Sequence, residues 1–142
     1  MEANYISFLT VTGAIGGVIA AAFGGWTSAL TTLVIVMGVD YLTGLIVAGV
    51  FHRSSKSKTG TLNSHAGFKG LCKKGVMLLI VLVAARLDLV MGNNFIKDSC
   101  VIAFITNEIV SITENAGLMG VPIPKVVIKA IDVLKTKEDN EA

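Results

Sequence analysis

Four long apolar stretches occupy most of this 142-residue chain. They run about 5–23, 26–51, 76–91 and 99–116, and each is near the ~20 residues that carry a helix across a bilayer core. With 53% hydrophobic and 15% charged residues, little is left for a soluble domain. Segments 33–39 and 76–85 are too apolar to be amphipathic surface helices, which argues against a soluble bundle. The expected fold class is all-α: an integral membrane protein with four transmembrane helices and a C-terminal amphipathic helix.

Charge placement gives the expected orientation. Residues 1–4 contain no Lys or Arg, unlike the start of a signal peptide, so the first stretch is read as retained. The connector 52–74 carries Arg53, Lys56, Lys58, Lys69, Lys73 and Lys74 and no acid, which puts it on the cytoplasmic side. Gly24-Gly25 is then a hairpin on the opposite face, 92–98 a second outer connector, and both termini are cytoplasmic. Residues 1–124 form the transmembrane bundle; 125–142 form an amphipathic helix with a polar tail. Val127, Ile131 and Leu134 share one face of that helix, which is expected to lie along the inner interface. The basic run has no interleaved aromatics beyond Phe68, so a nucleic-acid partner is not expected. Cys72 and Cys100 fall on opposite membrane faces and cannot pair within one chain.

The first stretch is lean. Thr12, Gly16, Ala20 and Gly24 form one row of small residues, and Gly13, Gly17, Ala21 and Gly25 an adjacent one. Such rows let helix backbones approach closely in lipid, either within the chain or between copies. Ionisable residues in the other stretches are costly and are candidates for function. Asp40, Arg86 and Glu108 each lie about eleven or twelve residues from the inner end of their stretch, roughly 17 Å deep. Arg86 is therefore expected to pair with Asp40, Glu108 or both, with Asp88 nearer the outer mouth. The expectation includes no catalytic constellation, metal-ligand spacing or cofactor motif: both histidines, His52 and His65, sit in the basic connector.

Three further segments carry a resemblance. They are Asp40-Tyr41-Leu42-Thr43-Gly44, the run from Ser64 through Gly67 and Gly70 to Lys73-Lys74, and Asn107-Glu108 through Glu114-Asn115 to Pro122 and Pro124. In this order and spacing the chain resembles the phage lysis and toxin-secretion holins (phage holin family 4 type). The resemblance implies a protein of the bacterial cytoplasmic membrane that assembles with copies of itself among the lipids. It would open lesions that depolarise the membrane and let endolysin or large toxins pass as cargo. It marks Thr43, Gly44, Gly67, Gly70, Lys73, Lys74, Asn107, Glu114, Asn115, Pro122 and Pro124 as motif positions, with roles in structure and assembly.

Gly13, Gly16, Gly17, Ala20, Ala21 and Gly24 are the candidate association surface. Asp40, Arg86, Asp88 and Glu108 are the candidate intramembrane charge network. The chief alternative is a small multi-span ion channel or transporter. Compact transporters of this length usually carry an acid in the first span, and here that span has no charge after Glu2. An accessory subunit of a larger membrane complex is a third reading.

Overall fold

A computed structural model describes residues 1–141; Ala142 and the side chains of Glu138 and Glu141, at the end of the expected polar tail, lie outside the described set. The described residues form five helices: α1 (Glu2–Ala22), α2 (Ser28–Ile46, extended by a π-helical turn Val47–Phe51), α3 (Ser64–Met91), α4 (Phe95–Leu118) and α5 (Lys125–Glu141). No strand occurs among the described residues. Two helical segments, Glu2–Ala22 and Ser28–Phe51, are long and apolar enough to cross a membrane. α3 and α4 are as long but more charged, with Lys69, Lys73, Lys74, Arg86 and Asp88 on one and Lys97, Asp98, Glu108 and Glu114 on the other.

The helix ends reflect local chemistry. Between α1 and α2 the chain reverses at Gly24 and Gly25, whose φ of 69° and 98° suit residues without a Cβ. Thr27 then caps α2 by accepting from the Leu30 N–H. α3 starts about a dozen residues before the expected span at 76. Asn63 Oδ1 accepts from the N–H groups of His65 and Ala66, and no proline interrupts residues 64–91. The irregular connector is therefore only 52–63, and half of the basic segment is helix. α3 stops at Gly92, φ 69°. Pro122 and Pro124 separate α4 from α5, since neither can continue a helix.

At the hairpin end, two buried charges tie the turns together. The Asp88 carboxylate accepts from the N–H groups of Ile96 (3.0 Å) and Lys97 (2.8 Å), satisfying the start of α4. Lys97 extends its ammonium to the Phe23 carbonyl, 3.5 Å away at the end of α1, where the helix dipole favours a cation. At the opposite, loop end, Arg53 donates to the Leu118 carbonyl at 3.5 Å, closing α4.

α4 is the organising helix: it packs along α2 and α3 and carries α5, whereas α2 and α3 touch only lightly and α1 makes a thin contact with α3. Leu30, Leu33 and Met37 of α2 meet Met77 and Val81 of α3 and Val101 of α4 in a dry core confined to the hairpin half. α5 turns Ile131 inward, with Val127 and Leu134 half-buried beside it, so its predicted apolar face is the one that packs. It continues past Leu134 to Glu141, further than the sequence suggested.

Leu33→Ala, at a fully buried position, should cost about 2–5 kcal/mol, while the same truncation at exposed Leu79 should cost under about 1 kcal/mol. Unfolding midpoints of the two variants in one detergent check this.

Candidate functional site

The loop half of the bundle buries charge beside apolar Val47 and Ala48. Asp40 on α2 and Glu108 on α4 are both buried, at 4% and 3% exposure, and Lys74 of α3 reaches between them. The Lys74 ammonium lies 2.7 Å from Asp40 Oδ2 and also bonds Glu108 Oε2 directly. Asn115 of α4 donates to Asp40 Oδ1 at 3.2 Å and to the Thr43 hydroxyl at 3.0 Å. Thr43 in turn donates to the Asp40 carbonyl. From the connector, Lys56 brings a second ammonium to 3.9 Å from Asp40 Oδ2. Gly44 borders both groups: a Cβ there would lie in ordinary contact with Lys56 Nζ and Asn115 Nδ2. Two carboxylates thus face two ammonium groups, and among the described residues no buried side-chain nitrogen or oxygen lacks a partner.

This differs from the expected network in one instructive way. Asp40 and Glu108 do meet, but around Lys74. Arg86 is exposed and, among the described residues, in no ion pair. The difference is one of register. The expected depth along α3 takes residue 75 as the inner end, whereas the helix begins at Ser64. Measured from Ser64, Lys74 lies about ten residues in, ~15 Å, matching Asp40 from Phe51 and Glu108 from Leu118. Arg86 instead falls near the hairpin end, and Asp88 serves the α4 terminus rather than an ion pair. The signal that would have placed Lys74 is Asn63-Ser64, a helix-start pair ahead of an unbroken helical run.

Above the cluster, α2, α3, α4 and the connector enclose a cleft of about 530 Å³. Gly67, Gly70 and Lys73 line its α3 wall, and Asn107 and Glu114 its α4 wall. Glu114 makes no ion pair with Lys73 or Lys74 among the described residues. α1 contributes nothing to the site. None of its residues is buried, and a Cβ added at Gly13, Gly16 or Gly17 would meet nothing within 4 Å. Ala20 and Ala21 are half-buried and exposed respectively, and Gly24 lies in the turn near Lys97.

The bacteriophage holin family model matches residues 17–136. The chain belongs to the bacteriophage holin family. The match takes in α2, α3, α4 and the ion cluster, but only the last turns of α1. A probable holin of Bacillus phage phi105 is 32% identical over 104 residues, covering 72% of this chain and 71% of that protein. An uncharacterised 14.9 kDa protein of Clostridium perfringens is 37% identical, covering 95% of this chain and 96% of its own. An uncharacterised protein of Halalkalibacterium halodurans is also 37% identical, over 85% of this chain and 91% of its own. No solved structure matches. Family and helix composition together make this holin-family chain a membrane protein.

Lys74→Ala leaves two buried carboxylates without their shared cation and should destabilise the bundle by about 3–5 kcal/mol; Arg86→Ala should cost under about 1 kcal/mol. Adding Asp40→Asn and Glu108→Gln to Lys74→Ala should recover much of the loss. Denaturation of these variants beside the parent protein in one detergent tests the assignment.

Proposed function

We propose that this chain is a holin. It inserts in the bacterial cytoplasmic membrane as four transmembrane helices, α1 to α4, with both termini and the 52–63 connector in the cytoplasm. Copies then associate and open lesions that depolarise the membrane and release endolysin or large toxin proteins. α5 lies at the inner surface. No enzymatic step is part of this reading.

The observation that carries it beyond family membership is α1. No residue of this helix is buried, and a Cβ at Gly13, Gly16 or Gly17 would meet nothing within 4 Å. The small-residue rows are thus unused within the chain and available to another copy, where close backbone approach drives association in lipid. The bundle beside it fits a closed subunit: the hairpin half is filled by packed apolar side chains. The remaining half holds a neutralised ion cluster.

An ion channel or transporter is the second reading, supported by the cleft that descends to Asp40 and Glu108 from one end. The packed core beyond them counts against it, since a conducting path within one chain would have to displace Leu33, Met37 and Val81.

Expression in a bacterium carrying a folded cytoplasmic reporter enzyme separates these readings. The expected outcome is a delayed, sudden loss of membrane potential with reporter release. Loss of potential without release would favour the channel, and steady potential throughout would overturn both. Gly13→Leu with Gly17→Leu should abolish the collapse while leaving the amount of protein in the membrane unchanged.

A further inference from the structure

The cleft has a feature that lesion formation leaves unused: two lysines with no carboxylate to serve. Lys69 and Lys73 sit one turn apart on α3 and both line the cleft. Among the described residues neither lies within 4.0 Å of an acid, whereas Lys74 is committed to Asp40 and Glu108 and Lys56 leans on Asp40. Glu114 is the acid left over in the lining, so the uncommitted charge is net positive. Gly70 leaves the same wall bare, with nothing within 4 Å of where its Cβ would stand, while Gly67 backs onto the Tyr41 hydroxyl. Ser54 accepts from the Lys56 N–H, which leaves its hydroxyl hydrogen free to donate into the cleft.

We infer that this cleft binds the phosphodiester headgroup of an anionic phospholipid, with Lys69 and Lys73 as the charged contacts. Its volume of about 530 Å³ is in the range of small-ligand sites. It is a partly open cleft rather than a sealed cavity. Leu45 and Leu62 line it, and Phe68 stands exposed on α3 nearby, giving acyl chains an apolar surface to follow. A free phosphate shares the headgroup chemistry but has no use for that surface. The inference needs the loop end to lie at headgroup level, as in the orientation proposed above, and does not depend on lesion formation.

The test is native mass spectrometry of the full chain in a neutral detergent, titrated with phosphatidylglycerol. One lipid should be retained per chain, more tightly than phosphatidylcholine, which has the phosphodiester without net charge. Lys69→Gln with Lys73→Gln should weaken retention roughly ten- to thirty-fold, from about 1 kcal/mol per lysine. Lys69→Arg with Lys73→Arg should preserve it, and Lys125→Gln with Lys129→Gln on α5 should leave it unchanged. Equal retention of the two lipids, or equal loss in the α3 and α5 glutamine pairs, would overturn the site. Displacement of the lipid by millimolar glycerol 3-phosphate would reassign the cleft to a soluble phosphate and also overturn the inference. Retention by a chain that never depolarises cells would leave this site standing while the holin reading falls.

Discussion

The Lys74 ammonium, held between Asp40 and Glu108, is the interaction on which the loop half of the molecule depends. α2 and α3 touch less than either touches α4, and at that end Lys74 of α3 ties both α2 and α4 to one cation. Isolated, each of the three charges would be expensive to keep out of water; together they satisfy one another, and Asn115, which also donates to the Thr43 hydroxyl, donates to the second oxygen of the Asp40 carboxylate. A buried pair of this kind is a weak source of net stability but a strong source of register, because a slip of one helical turn on any of three helices breaks it. Lys56 extends the same logic to the connector. One lysine against two acids leaves a negative charge, and the second lysine that offsets it comes from the segment between α2 and α3.

Two halves with opposite physics result from this arrangement. The hairpin half is dry, packed by Leu30, Leu33, Met37, Met77, Val81 and Val101, and its turns are closed by Asp88 and Lys97 acting on helix termini. The loop half is polar and opens into a cleft. Helix–helix association in lipid has no hydrophobic drive of its own, so shape carries the dry half and charge carries the wet one. The conformation at one end is therefore set by packing and at the other by electrostatics, and a change in charge at the cluster would loosen one end without dissolving the other.

The helical class and the apolar segments were legible because 53% hydrophobic residues in long runs argue against a soluble domain of this size, and the α5 face was legible from its period. Equal depth singled out Asp40 and Glu108 as acids needing a cation, and assigned them Arg86. The cation they hold was not legible, because a run of lysines next to an apolar stretch reads as a membrane boundary, and the cap at Asn63 that carries the helix beyond that boundary is a single hydrogen-bonding side chain. The role of Asp88 was hidden for a similar reason: its partners are backbone N–H groups of the next helix, which no side-chain pattern advertises. Asn115 was marked as a motif position, but its reach to Asp40 on α2 is set by the α2–α4 packing.

α1 is where the proposed function and the fold meet. A helix surrounded only by lipid gains from large apolar side chains and nothing from glycine, which loosens the backbone and forfeits contact area. α1 does carry Tyr5, Phe8 and Val18 as exposed residues, yet Gly13, Gly16 and Gly17 interrupt its middle with no neighbour in the chain to exploit them. Among the described residues, the ion pairs and caps that hold α2, α3 and α4 together do not involve this helix, and Lys97 tethers its end at the Phe23 carbonyl. α1 is thus free to repack while the remaining helices keep their register. Under the proposed function, association of α1 helices between copies can proceed from an intact ion cluster, and the cluster stabilises each subunit rather than the contact between subunits.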